Sequence, residues 1–260
     1  MRKMKRIFEI LVFMAVMLIG PNSGVRAQFR FGVKASATLN SMIADCPVVY
    51  GLILNSEKSE VSPAFGFNAG GFGEYFISEK FSIVAEVLYA RQGVKTHLVE
   101  DLFFPADVTQ NPEDYKHGTA DINCTLTTHH LNIPLMARYY FGNLSFEAGP
   151  QISFCFGGRE KHHSKYTGED FVYNHTTDED FSLTEIEDEV NVDDYRAFNR
   201  VNFGMGVGTA YNFDFGMFVS ARFNIDFTNT LTHLILENGF GWEVMQSKYW
   251  VIALGVGYRF

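Results

Sequence analysis

Trp250-Val251-Ile252-Ala253-Leu254-Gly255-Val256-Gly257-Tyr258-Arg259-Phe260 is the stretch whose reading decides the fold. Large apolar residues at Trp250, Ile252, Leu254, Val256, Tyr258 and Phe260 alternate with Val251, Ala253, Gly255, Gly257 and Arg259, which are small or polar. A period of two over this length describes a strand with two unlike faces. The strand finishes on an aromatic pair, Tyr258 and Phe260. A strand lying in lipid places such residues in an interface belt, whereas a solvated sheet has no use for them at an exposed end.

The same pattern recurs through the chain. Strands are expected over residues 29–40, 63–76, 81–93, 127–141, 144–156, 198–213 and 215–227, with 250–260 closing the set. In the first, Phe29, Phe31, Val33, Ala35, Ala37 and Leu39 oppose Arg30, Gly32, Lys34, Ser36, Thr38 and Asn40. Phe72, Val84 and Leu88 fall on the small-residue face and stand out as exceptions. Pro134 cannot donate to a ladder, so an irregularity is expected beside it. The connections alternate in length. Residues 77–80, 142–143 and a turn near Asp214 are short; 41–62, 94–126, 157–197 and the segment ending near Ser247 are long. Long loops on one side and short turns on the other are the pattern of an eight-stranded antiparallel transmembrane β-barrel, with long extracellular loops and short periplasmic turns.

A soluble barrel has the same alternation with its apolar face inward. Three features turn the apolar face outward. The opposite face is rich in Gly, Ala, Ser and Asn, which suits a narrow lumen better than a solvated surface. Aromatics gather where strands meet the short turns: Tyr75, Phe76, Phe81, Tyr139, Tyr140, Phe141, Tyr211, Phe213 and Phe215. Trp250, Tyr89, Phe154, Phe156 and Phe227 lie toward the opposite ends, as a second girdle would.

Met1-Arg2-Lys3-Met4-Lys5-Arg6 precedes a mostly apolar run, and Val25-Arg26-Ala27 ends in small residues ahead of Gln28. This predicts a cleaved signal peptide over residues 1–27 and a barrel domain over 28–260. Cleavage removes five cations and one acid, so the formal charge of −9 becomes −13. An acidic, exported chain is no nucleic-acid binder. The three cysteines, Cys46, Cys124 and Cys155, allow at most one internal bridge. Cys46 and Cys124 are candidates for it, and unpaired thiols are the alternative.

The chain resembles the Bacteroidota outer-membrane β-barrel proteins of the PorT-like "porin family" group. The residues that carry the likeness are His130-Leu131-Asn132-Ile133-Pro134-Leu135-Met136-Ala137-Arg138-Tyr139-Tyr140-Phe141, then Phe203-Gly204-Met205-Gly206-Val207-Gly208, and the closing Gly255-Val256-Gly257-Tyr258-Arg259-Phe260. The resemblance implies residence in the bacterial outer membrane. It also implies a link to protein secretion for some members of the group.

The alternation sends Arg30, Lys34, Arg138, Arg222 and Arg259 into the lumen with Glu74, Glu86, Glu147 and Asp226. Buried charges must pair, so a salt-bridge plug is expected in preference to a proton or solute path. An eight-stranded barrel is just wide enough for side chains to fill it. All eight histidines map to outer loops or outer strand ends. His129-His130 and His162-His163 match no defined zinc spacing, so ordinary polar histidines are expected, with neither metal nor cofactor. The third long connection is strongly acidic, from Glu160 through Asp178 and Asp180 to Asp194. It reads as a solvated segment with capacity for divalent cations or a basic partner.

The function expected is a non-enzymatic, monomeric outer-membrane barrel with acidic outer loops for surface interaction or membrane structure. Its partners are outer-membrane lipid and lipopolysaccharide, together with the barrel-assembly machinery, which would read Tyr258 and Phe260 as an insertion signal. One alternative is an accessory component of a secretion machinery, with a secretion-system partner. The other is a rim-site hydrolase using His129 or His130, which no Gly-x-Ser-x-Gly or paired-carboxylate motif supports.

Overall fold

The structure is a computed structural model describing residues 29–44, 59–105, 115–168, 172–182, 197–233 and 247–260. The expected signal peptide, Cys46 and the acids of residues 183–196 lie outside the described residues. In chain order the strands are β1 (Phe29–Ala44), β2 (Ser59–Phe76), β3 (Phe81–Pro105), β4 (Tyr115–Phe141), β5 (Leu144–Gly168), β6 (Val172–Ser182), β7 (Ala197–Phe198), β8 (Val201–Asn212), β9 (Met217–Asp226), β10 (Leu231–His233) and β11 (Ser247–Arg259). Neighbours follow the order β4-β3-β2-β1-β11-β9-β8-β5, and β4 pairs with β5 to close the ring. The result is an eight-stranded antiparallel barrel. β6 continues the outer edge of β5, and β7 and β10 form a separate two-stranded sheet.

The faces are inverted relative to a soluble protein. Phe65 is 88 % exposed and Leu254 63 %, whereas Glu74, Glu86 and Arg138 are 0 %, 1 % and 3 % exposed. Lipid replaces water as the solvent of the apolar face, and closure leaves no unpaired edge within it. Aromatic contacts mark the short-turn end: Phe29 lies 5.9 Å from Tyr75, Phe213 5.4 Å from Phe215 and Tyr258 5.4 Å from Phe260, centroid to centroid. The short turns are tight, and Gly142 and Gly216 take φ values of 60° and 95° that disfavour any residue with a Cβ. Beside Pro134 the β3–β4 ladder skips from Ala85↔Leu135 to Leu88↔Asn132 with its register unchanged. The proline thus interrupts pairing without shifting it.

Residues 94–126 and 157–197 were expected to be long loops, and here the structure differs. β3, β4 and β5 run on without a break for 25, 27 and 25 residues. β2 pairs along the lengthened β3 from Ser59↔Leu98 to Pro63↔Val94, and β6 pairs along β5 from Gly157↔Ser182 to Thr167↔Val172. The axial faces of β3 and β4 keep their parity above the barrel and change chemistry. Val94, Leu98, Ile122 and Leu126 are buried there, while Lys95 and Asn123 face outward and His97 and Asp121 are part-exposed. Above the membrane, water lies outside, so the apolar residues turn in. They form two clusters: Leu98, Ala120 and Ile122, and Val94, Leu126 and Tyr249.

Two bulges mark the transition. The β2–β3 register shifts between Pro63 and Phe67, and the β4–β5 register shifts between His129 and His130. His129 pairs with Gly157 and His130 with Cys155, which leaves Phe156 as the extra residue of β5. Bulges concentrate at barrel rims, where they raise twist and re-aim side chains.

Candidate functional site

Seven of the charged residues meet in the lumen as one chain of alternating sign. Lys34 on β1 lies 3.0 Å from Glu86 on β3. Arg222 on β9 donates to both Glu86 oxygens, Nη1 to Oε2 at 2.7 Å and Nη2 to Oε1 at 2.8 Å. Its Nε donates to Glu147 Oε1 on β5 at 2.7 Å. Arg138 on β4 donates Nε and Nη2 to Glu147 Oε2 at 3.0 and 2.6 Å. Arg138 Nη1 lies 3.4 Å from Glu74 Oε1 on β2, and Arg259 Nε on β11 lies 3.0 Å from Glu74 Oε2. Ser82 and Tyr140 also donate hydroxyls to Glu74 Oε1, at 2.6 and 2.5 Å.

Each carboxylate therefore faces two cations, the arrangement that makes buried charge tolerable. The fork of Arg222 onto both oxygens of Glu86 adds geometric definition to the charge. β8 is the one barrel strand that supplies no charge. Its lumen face carries glycines instead: a Cβ at Gly208 would lie 3.1 Å from Glu147 Oε1, and one at Gly206 would lie 2.4 Å from Asn224 Oδ1.

The remaining predicted lumen residues stand apart. Asp226 is in the lumen at 7 % exposure and has no ion pair among the described residues. Arg30 is exposed near the short-turn end, its guanidinium 4.8 Å above the Phe76 ring. Two of the apolar exceptions to the alternation, Phe72 and Val84, pack with other apolar residues of the lumen face. Phe72, Val84, Met136, Ala210 and Phe218 form a buried layer across the lumen, with the Phe72 and Phe218 rings edge to face at 5.7 Å. What space is left includes a cavity of about 20 Å³ bordered by Lys34, Asn68, Gln92, Arg222, Asp226 and Tyr249. That is room for about one water molecule.

The two histidine pairs are split by the geometry of a strand, on which successive side chains point to opposite faces. His129 points outward, its Nδ1 2.7 Å from Tyr89 Oη and its ring stacked against Phe156. His130 points inward at 1 % exposure, with Nε2 2.9 Å from Thr128 Oγ1. His163 points outward to Thr176, while His162 is buried on the axial face. His162 Nε2 lies 2.8 Å from Glu160 Oε1, and the Cys124 thiol donates to the same oxygen at 3.3 Å. Cys124 and Cys155 are buried. Alternation below the rim gives no hint that Cys124, Glu160 and His162 converge, because the bulge at Phe156 changes which β5 positions face inward.

On the outer sheet Arg159 forks onto Asp178 of β6, with both hydrogen bonds at 2.6 Å. The guanidinium holds the Asp178 carboxyl below the usual carboxylate range. Tyr258 and Phe260, the residues expected to act as an insertion signal, are exposed on the outer wall, and Phe260 N donates to Phe31 O at 2.8 Å.

Residues 17–232 match the family model described as "Outer membrane protein beta-barrel domain". No curated protein matches the chain. Among solved structures, Ail, the attachment invasion locus protein of Yersinia pestis, is similar at 11% identity and a TM-score of 0.35, over 90% of this chain and 99% of that one. Neisserial surface protein A is similar at 10% identity and a TM-score of 0.39, over 88% and 97%. The outer membrane protein OprG from Pseudomonas aeruginosa is similar at 12% identity and a TM-score of 0.33, over 90% and 96%. At these TM-scores the likenesses add nothing to the family match.

Proposed function

Because this chain belongs to the outer membrane protein beta-barrel domain family, and so resides in the bacterial outer membrane, we propose that it is a closed, non-enzymatic barrel. Its work is done by the sheet it carries beyond the membrane, against lipopolysaccharide and partners at the cell surface. Strand length carries this reading. A membrane strand needs about 9–11 residues, and β4 has 27. At about 3.3 Å per residue the excess extends the sheet by roughly 50 Å along the strand, which neither anchoring nor sealing a membrane requires. On β6, Tyr173 and His175 are exposed and stacked on each other, and aromatic side chains are enriched at binding surfaces.

The filled lumen supports a barrel that does not conduct. His130, the residue best placed for a rim-site hydrolase, is closed from solvent by its neighbours, which favours a non-enzymatic role. A monomer inserted by the barrel-assembly machinery through Tyr258 and Phe260 belongs to the same reading. The accessory role in secretion rests on the resemblance to the PorT-like group alone.

Photo-cross-linking in intact cells separates the two. A photoreactive residue at Tyr173 is expected to capture polysaccharide or protein, and one in the periplasmic turn at Ser78 is expected to capture nothing. Adducts at Ser78 with none at Tyr173 would transfer the function to a periplasmic partner.

A further inference from the structure

Cys124 on β4 lies directly across from His162 on β5, and Leu126 lies across from Glu160. The Phe156 bulge puts these donors on one face. Below it the odd positions of β5 face the axis, and Glu147, Gln151 and Ser153 are buried. Above it the even positions do: His162 and Ser164 are buried, while Lys161, His163 and Lys165 are exposed. An unbroken ladder would turn Arg159, Lys161 and His163 toward Cys124. The bulge replaces two of those cations with a carboxylate and an imidazole.

We propose that Cys124, Glu160 and His162 form a binding site for a divalent transition-metal ion of the zinc type, on the axial face of the sheet just above the barrel mouth. The three donor atoms lie within 4.8 Å of one another. Sγ to Oε1 is 3.3 Å, Sγ to Nε2 is 4.0 Å and Nε2 to Oε1 is 2.8 Å. A tetrahedral zinc ion with bonds of about 2.0–2.3 Å keeps its donors roughly 3.3–3.8 Å apart, so shifts of a few tenths of an ångström seat it. One sulfur, one nitrogen and one oxygen suit zinc or cobalt(II) and exclude calcium and magnesium, which take oxygen ligands. Ile122 and Leu126 flank Cys124 on the same face and are buried, so an ion there is shielded from bulk water. Three protein ligands leave a fourth position for water. The ion ties β4 to β5 at the level where the sheet leaves the membrane.

The test uses the full chain, folded in detergent with thiols reduced and titrated with Co(II) and then Zn(II). One equivalent of Co(II) is expected to raise a thiolate-to-cobalt charge-transfer band in the near ultraviolet, which Zn(II) then removes. Cys124→Ser is expected to abolish the band. Glu160→Gln and His162→Ala are expected to weaken binding at least ~10-fold, since losing even an outer-shell partner costs that much. Cys155→Ser is expected to leave binding unchanged. Heat-dependent gel migration reports that each variant still forms a barrel. The proposal is overturned if a folded barrel gives no band or if the band survives Cys124→Ser. A Cys46–Cys124 disulfide in protein isolated from outer membranes without reductant overturns it as well.

Discussion

Arg222 and Glu86 face each other across the full diameter of the barrel and are joined by two parallel hydrogen bonds of 2.7 and 2.8 Å. β9 and β3 have three strands between them in either direction round the ring. The pair therefore braces the lumen and blocks it. Glu147 takes the third side of the same guanidinium, which makes Arg222 the centre of the network.

Arg222→Leu leaves two carboxylates buried without their shared cation. Breaking a buried ion pair from one side costs about 3–5 kcal/mol, and that loss is expected in urea unfolding from lipid vesicles. Arg222→Lys keeps the charge and loses the fork, so an intermediate loss is expected. An Arg222→Leu barrel as stable as the parent would mean that the network contributes little.

Deletion of Phe156 removes the extra residue of β5 and joins Cys155, across from His130, directly to Gly157, across from His129. The ladder then runs without a bulge and keeps its facing, with His162 and Ser164 on the buried side and Lys161 and His163 outside. The expected result is a folded barrel whose outer sheet resists protease as the parent's does. Rapid trimming of the deletion protein would show that Phe156 is not the extra residue, because removing a paired residue would turn Lys161 inward and an unpaired buried lysine is costly.

Side sets the labelling pattern. In a background with Cys46, Cys124 and Cys155 changed to Ser, a cysteine at Lys165 is expected to react with a membrane-impermeant maleimide in intact cells. A cysteine at Ser78 is expected to react only after lysis. Both positions are exposed, so accessibility within the protein does not decide the outcome. Labelling at Ser78 alone in intact cells would reverse the orientation.

The ring of strands was legible because lipid imposes one rule along the whole barrel: every second residue is greasy. Phe31, Val33, Ile252 and Leu254 obey it and are exposed. The extension was not legible because the rule inverts at the membrane surface. Val94 and Leu98 continue the parity of Glu86 and Gln92, so the polar-in pattern becomes apolar-in without any turn signal, and the residues read as loop. The bulge at Phe156 hides β5 further by exchanging its odd and even positions. Inside the barrel the charges were readable from alternation, and seven of them join. Arg30 has the right parity but sits at the last turn, where the lumen opens and Phe76 offers a ring instead. Phe72 looked like an error in the pattern because it makes sense only opposite Phe218.

The central claim is that paired charges and packed apolar side chains close the lumen. Single-channel recording of the purified protein in planar bilayers tests it most directly. The account predicts no stable open-channel current at any holding potential that the bilayer tolerates. A steady ohmic conductance from the folded parent barrel would contradict it.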